Sequence, residues 1–273
     1  MDLTEIARRG LVLLGCGRMG SALMEGWLAR GLPPAALSVI DPHPTARLTA
    51  LAGAGLRLNA PLPAAPAVCL VAVKPQMMAE ALPQIAVLGG GGTVILSIAA
   101  GTPIRAFEAA LGAATPIVRA MPNTPAAVGH GISAIVGNAA AGAAALAMAE
   151  TLLSAVGEVV RLEAEAQMDA VTGVSGSGPA YVFHLIEALA DAGTAVGLSP
   201  DLALRLARAT VAGAGDLAER TGESPEKLRK DVTSPAGTTA AALEVLMDPA
   251  TGLRPLMARA VRAATDRARE LSR

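Results

Sequence analysis

Leu11-Val12-Leu13-Leu14-Gly15-Cys16-Gly17-Arg18-Met19-Gly20 joins four apolar residues to a glycine-rich turn, and a helical pattern follows from Ser21 to Arg30. A strand that runs straight into GxGxxG is the arrangement a dinucleotide pyrophosphate requires. Gly15 permits the tight turn, Gly17 lets the backbone approach the phosphates, and Gly20 lets helix and strand pack closely. The helix start adds unpaired N–H groups and a positive dipole end. Cys16, Arg18 and Met19 lie between these glycines and are expected to line the same site.

Outward from this stretch, short strand-like runs alternate with helical patterns. Leu37 to Ile40, Val68 to Val73, Thr93 to Ser97 and Pro116 to Val118 read as strands, and Met77 to Ile85 reads as one of the helices between them. That rhythm predicts an α/β fold, a Rossmann-type doubly wound parallel sheet. Two further strands, Ile132 to Val136 and Glu158 to Arg161, flank an Ala-rich helix around Ala139 to Ala155. Beyond Glu163 only helical patterns remain, punctuated by Gly178-Pro179, Ser199-Pro200, Ser224-Pro225, Ser234-Pro235 and Asp248-Pro249. Each pair reads as a helix start with proline at the first position. The expected organisation is a dinucleotide-binding domain over residues 1–163 and an all-α domain over residues 164–273.

Composition narrows the function. The 273 residues include 61 alanines and 29 glycines but only four aromatics, Trp27, Phe107, Tyr181 and Phe183, so the apolar content is mostly small side chains. With 22 basic and 23 acidic residues the net charge is -1, and four scattered rings make no stacking platform, so nucleic-acid binding is disfavoured. Long uncharged stretches are interrupted by Pro, Gly, Asn and Ser, which argues against membrane spans, and the N-terminus lacks a secretory pattern. A cytoplasmic protein is expected. Cys16 and Cys69 have no metal-ligand spacing and read as packing residues. The helices from Pro179 to Val196 and from Pro200 to Ala218 are apolar around much of their circumference, so they need burial against other helices or a second subunit. His184, in the first of them, reads as a core or interface residue.

Several residues carry candidate chemistry. Asp41 ends the second strand about twenty residues past Gly20, where a carboxylate commonly holds ribose hydroxyls. Arg47 stands nearby as an alternative partner for a 2′-phosphate, and Asp41 followed by Pro42 also suits a simple turn cap, so NADPH and NADH both remain open. Ala72-Val73-Lys74-Pro75 ends the next strong strand, the place where open α/β sheets bind ligands, and Lys74 is one of three lysines against nineteen arginines. Met121-Pro122-Asn123-Thr124-Pro125 forms a rigid loop whose Asn123 is a candidate wall of a substrate pocket. Ser177 and Gly178 precede a long helix, a suitable cradle for a carboxylate. The run Thr233-Ser234-Pro235-Ala236-Gly237-Thr238-Thr239 holds more hydroxyls than one helix cap needs and is the best candidate for substrate contact. His43, His130 and His184 are too scattered for a hydrolytic triad, and no metal-binding motif is present.

Taken together, Gly15 to Gly20, Ala72 to Pro75, Met121 to Pro125, Ser175-Gly176-Ser177-Gly178-Pro179-Ala180-Tyr181 and Val232 to Thr239 resemble the pyrroline-5-carboxylate reductase family, in order and over essentially the whole chain. The resemblance implies NAD(P)H-dependent reduction of a cyclic imine to proline, the last step of proline biosynthesis. It implies a Rossmann domain followed by a helical domain that intertwines with a second subunit, as a homodimer or a ring of dimers. By the same resemblance Gly15 to Gly20, Asn59, Lys74, Pro75 and Ala100 line the dinucleotide. Ser234, Gly237, Thr238 and Thr239 then hold the substrate, with the Thr239 hydroxyl at the imine nitrogen. Two departures stand out. Ala236 replaces a glycine common in the family, which is harmless only at an ordinary backbone angle, and Asp231 stands where some members have Asn.

Two other functions remain to be separated. β-Hydroxyacid dehydrogenases share the GxGxMG opening but need a lysine on the first long helix, and Gly173 to Ser199 contains neither Lys nor Arg. A catalytically silent dinucleotide-binding regulator would leave the hydroxyl-rich turn without a role.

Overall fold

A computed structural model describes residues 3–272. Its strands are β1 (Leu11–Leu14), β2 (Leu37–Ile40), β3 (Arg57–Leu58), β4 (Val68–Val71), β5 (Val94–Ser97), β6 (Ile117–Met121), β7 (Gly131–Gly137) and β8 (Gly157–Arg161). They form one sheet in the order β3-β2-β1-β4-β5-β6-β7-β8, parallel throughout except where β7 runs against β6. Every residue of β1, β4 and β5 is buried. These strands are covered on both faces, which is why they read as unbroken apolar runs rather than alternating ones.

The helices that cover the sheet are α1 (Thr4–Arg9), α2 (Arg18–Ala29), α3 (Ala46–Gly53), α4 (Met78–Ala81), α5 (Ile104–Leu111), α6 (Gly142–Leu153) and α7 (Met168–Val171). One face of the sheet packs Leu11 and Leu13 with Leu23, Trp27 and Leu152, and the other packs Val12 and Leu14 with Ile85, Phe107 and Met168. The single tryptophan is fully buried, and its indole N–H donates to the Leu152 carbonyl over 2.8 Å, joining α2 to α6. The helix expected over Met77 to Ile85 is cut short. Pro83 lacks an N–H to continue it, and 3₁₀ turns run from Leu82 to Leu88 instead. β3, only two residues long, carries no pattern that sequence alone reveals.

The described chain divides into two compact units. The first comprises residues up to Gly176 together with those from Ala264 onward, and the second is Ser177–Ala263. The division falls later than Glu163 because Met168 on α7 is buried in the core beneath the sheet. Residues near the far end of the sequence complete that first unit. The Arg105 guanidinium donates to the Ser272 carbonyl over 2.9 Å, the Ser272 hydroxyl to Asp169 over 3.3 Å, and a Cβ on Gly101 would stand 3.2 Å from the Leu271 carbonyl oxygen.

The second unit is helical: α8 (Gly178–Ala195), α9 (Pro200–Thr221), α10 (Pro225–Asp231), α11 (Thr238–Leu246) and the first part of α12 (Leu253–Leu271). α8 and α9 meet through small residues, with a Cβ on Gly193 reaching within 3.2 Å of the Ala203 Cβ. Its buried apolar cluster consists of Ala190, Ala203 and Ala207, with Ile186 against them. Phe183 is 59% exposed, and Val182, Leu185, Leu189, Leu206 and Leu217 are exposed as well. His184 does not belong to a core: its ring is exposed and meets Glu187 at 3.1 Å.

Two of the expected helix starts shift. Ser224-Pro225 does start α10, and the Ser224 hydroxyl accepts from Lys227 N–H over 3.2 Å. Ser234-Pro235 instead begins a turn, and α11 starts at Thr238 with Gly237 as its N-cap. Asp248-Pro249 likewise makes a turn before α12, with the Asp248 carboxylate accepting from Ala250 N–H over 2.9 Å and Thr251 N–H over 2.6 Å.

Candidate dinucleotide and substrate site

β1 lies between β2 and β4, so the chain direction of assembly reverses there and the carboxyl ends of β1 and β4 border a crevice. The glycine loop fills the mouth of that crevice, and its three glycines do three different things. Gly15 has φ +86°, a left-handed angle, and a Cβ there would stand 2.9 Å from Val73 and 3.1 Å from the Ala72 carbonyl group. Gly20 lies within α2 with its Cβ position 2.7 Å from the Gly15 carbonyl oxygen. Gly17 has an ordinary extended backbone and no atom within 4 Å of where a Cβ would be. Two glycines are therefore fixed by packing and the middle one faces open space, which suits a phosphate group approaching the backbone. α2 has no acidic residue in its first turn, and exposed Arg18 stands at its first position. A cation at a helix N-terminus is unfavourable by itself and favourable once an anion sits there. Cys16 is buried and Met19 half-buried, so both serve the loop mainly through packing.

Asp41 closes the next side of the crevice. Its Oδ2 accepts from Cys16 N–H over 2.7 Å and its Oδ1 from His43 N–H over 2.8 Å. The turn-capping role and the loop-facing role thus belong to one carboxylate. Asn59, at a left-handed φ of 50°, holds Asp41 in place: Asp41 N–H donates to Asn59 Oδ1 and Asn59 Nδ2 donates to the Asp41 carbonyl, both over 2.9 Å. Arg47 turns away toward α2, donating to both Glu25 oxygens at 2.7 and 2.9 Å. That guanidinium holds the Glu25 carboxyl below the usual carboxylate range.

The other strand ends add the remaining wall. Ala72 and Val73 touch the glycine loop, while Lys74 and Pro75 are exposed just past β4, with Lys74 preceding a 3₁₀ turn. Ala100 is exposed past β5. Asn123 is buried, and its Oδ1 accepts from Ile132 N–H over 3.0 Å, tying the Pro-rich loop to β7. A half-buried ion pair that sequence reasoning missed lies at β6. Arg119 on β6 has a 5% exposed side chain and meets Glu165 at 2.7 Å, and the same Glu165 oxygen accepts from Ile104 N–H over 2.8 Å. The available signal was an arginine inside the apolar run Ile117 to Met121, since a charge there must be paired. Both cysteines are buried, and burial pushes the Cys69 thiol up to about 12 and raises that of Cys16, so neither is a nucleophile at neutral pH. Among the described residues no cluster of His, Cys, Asp and Glu is suited to a metal ion.

In the first unit the backbone leading to α8 is a π-helical turn, Thr172–Gly176, and a Cβ on Gly176 would stand 2.7 Å from the Met121 methyl carbon. In the second unit Ser177 is the N-cap of α8 without a side-chain cap bond, and Gly178 is the first residue of that helix. The hydroxyl-rich turn before α11 is tightly built. Thr233 Oγ1 donates to the Arg229 carbonyl over 2.6 Å, Gly237 N–H donates to the Ser234 carbonyl over 3.1 Å, and a Cβ on Gly237 would collide with the Ser234 hydroxyl. Thr238 and Thr239 lie in the first turn of α11, where unpaired N–H groups and hydroxyls are close together. Ala236 does not have the ordinary angle its substitution calls for: its φ is 57°.

The chain matches two family models. One, for pyrroline-5-carboxylate reductase dimerisation, covers residues 165–271, and one for NADP oxidoreductase, coenzyme F420-dependent, covers residues 10–101. A pyrroline-5-carboxylate reductase of Pseudomonas aeruginosa is 41% identical over 96% of each chain. The chain belongs to the pyrroline-5-carboxylate reductase family. The solved reductase of Coxiella burnetii superposes with a TM-score of 0.90 at 33% identity, covering 97% of this chain and 99% of that one. The Plasmodium falciparum reductase, solved with NADP bound, gives 0.82 at 27% identity, covering 98% and 99%. The protein is an NAD(P)H-dependent oxidoreductase that reduces 1-pyrroline-5-carboxylate to L-proline, and its helical domain is an oligomerisation module. No described helix is long and apolar enough to cross a membrane.

Asp231, the second departure from the family pattern, is exposed and bonds Lys227 over 2.7 Å along α10. That i,i+4 pair gives the carboxylate a local role.

Proposed function

We propose that this reductase holds its dinucleotide on Gly15 to Gly20, Asp41, Asn59, Ala72 to Pro75 and Ala100, and its imine substrate on Ser177, Gly178, Ser234, Gly237, Thr238 and Thr239. The observation that supports the first set most is the contrast among the three glycines, two packed against backbone and one facing open space at the point where strand order reverses. Bound dinucleotide supplies a hydride to the imine carbon. The chain's own work is to bind, orient and exclude water. A cyclic imine is basic enough to arrive protonated, so a neutral hydroxyl suffices at the nitrogen and catalysis is chiefly positioning. Thr239 is the catalytic candidate for that contact, Ser177 and the α8 backbone N–H groups the candidates for the substrate carboxylate. Asn123 acts one step back: its bond to Ile132 N–H fixes the Pro-rich loop after β6.

The exposed apolar faces of α8 and α9 are the surface through which a second copy completes the helical unit, and the assembly is a homodimer or a ring of such dimers. A unit whose own buried cluster is three alanines needs that partner. Buried, unpaired cysteines suit a cytoplasmic enzyme, and a net charge of -1 suits one with a small-molecule substrate rather than a nucleic-acid partner.

The test is Thr239→Val, which removes the hydroxyl at nearly constant volume. The kcat for the imine should fall by 10²-fold or more, about 2.7 kcal/mol of lost positioning, while NADPH binding measured by fluorescence titration stays within twofold. Undiminished turnover would remove Thr239 from the site.

A further inference from the structure

The ribose end of the dinucleotide site carries a charge pattern that sets which dinucleotide it takes. Asp41 ends β2 with its carboxylate fixed by two backbone N–H donors, Cys16 and His43, and its own backbone clamped on both sides by the Asn59 carboxamide. Four hydrogen bonds therefore agree on where this negative charge sits. A carboxylate at that place accepts from ribose hydroxyls and repels a phosphate bearing two further negative charges. The nearest cation in sequence, Arg47 at the start of α3, is committed to both oxygens of Glu25. Arg18 stands at the first turn of α2, the pyrophosphate end of the loop. Asp41, Glu25 and Arg47 together sum to one negative charge, the opposite of the Arg-rich surround that a 2′-phosphate requires.

We propose that Asp41 is the specificity-determining residue of the cofactor site and that this enzyme takes the dinucleotide without the 2′-phosphate, NADH, in preference to NADPH, with Glu25 enforcing the choice by holding Arg47. This rests on the reading of the glycine loop as the dinucleotide site. His43 contributes its backbone N–H rather than its ring, so the preference does not depend on imidazole protonation.

The test is calorimetric titration of the full-length oligomer with NADH and with NADPH, alongside Asp41→Asn and Glu25→Gln. The unmodified protein should bind NADH at least tenfold more tightly. Asp41→Asn keeps an oxygen for Cys16 N–H but loses the charge, and should bring the two dissociation constants within threefold. Glu25→Gln, which touches no dinucleotide, should tighten NADPH several-fold, with the gain vanishing at high salt as Arg47 is screened. NADPH binding as tightly as NADH in the unmodified protein overturns the preference. A folded Asp41→Asn protein that keeps a tenfold preference overturns the role of Asp41, and if that variant does not fold, an unchanged NADPH affinity in Glu25→Gln overturns the charge argument by itself. Absence of binding by either dinucleotide would instead sink the glycine-loop assignment, an outcome distinct from the wrong order of affinities.

Discussion

Gly17→Ala and Gly20→Ala place the same methyl group in the same loop, and the structure separates their effects. At Gly20 the new carbon meets the Gly15 carbonyl oxygen at 2.7 Å, and that oxygen is backbone held by the sheet, so the loop or α2 must move by several tenths of an ångström. Overpacking of this kind costs about 1–3 kcal/mol. The gain from replacing a helical glycine by alanine is about 0.8–1 kcal/mol. The net is a loss of roughly 0–2 kcal/mol, or a fall in melting temperature of up to about 8 °C at ~2–4 °C per kcal/mol for a chain of this size. At Gly17 nothing lies within 4 Å and the backbone angle is one alanine accepts, so the gain of about 0.4–1 kcal/mol from a less free unfolded chain is offset by alanine's poorer capping of α2, and stability should change by less than about 1 kcal/mol. The methyl group there occupies the space a phosphate needs. Dinucleotide affinity should drop tenfold or more, at least about 1.4 kcal/mol. Differential scanning calorimetry without ligand and fluorescence titration with NADH and NADPH read the two quantities separately. If Gly17→Ala binds dinucleotide as the unmodified protein does, or if it melts earlier than Gly20→Ala, the division of labour among the glycines is wrong.

Ala236→Gly should stabilise the protein by about 1 kcal/mol, because the left-handed φ of 57° costs an alanine what glycine avoids. A thermal melt unchanged or lowered would mean the turn relaxes in solution. Phe183→Asp puts a charge on the exposed face of α8, and because a two-fold interface counts each change twice, dimer dissociation should strengthen by 100-fold or more, about 2.7 kcal/mol. Light scattering at micromolar concentration reads it, and an intact oligomer would place the interface elsewhere. Arg119→Met leaves Glu165 with the Ile104 N–H and solvent as partners, and because that carboxylate is half-buried the loss in chemical denaturation should be about 1–3 kcal/mol, whereas no loss would mean the pair contributes nothing to stability.

The Rossmann half was legible because the features that form it are local. β1 and the glycine loop are adjacent in sequence, and buried parallel strands announce themselves as apolar runs. β3 was not legible: two residues have no period, and only pairing with β2 makes Arg57-Leu58 a strand. The helix past Lys74 was overdrawn because an Ala-rich pattern outweighed Pro83. Ser234-Pro235 reads like Ser224-Pro225, yet only the second starts a helix, because the close approach of Gly237 to Ser234 turns the first into a tight bend. In the site, the residue types were visible but their alliances were not. Nothing in the spacing tells that Arg47 will choose Glu25, or that the Asn59 side chain will clamp Asp41, since each joins segments about twenty residues apart.

The return of residues 264–272 to the first unit has a consequence for how the protein is made. A ribosome that has emitted the whole sheet has still not emitted the Leu271 and Ser272 contacts to Gly101, Arg105 and Asp169. The nucleotide-binding half therefore waits, nearly finished, while the oligomerisation helices emerge between its two portions. The contacts that tie Leu271 and Ser272 to Gly101, Arg105 and Asp169 close only after the helices of the second unit have been made.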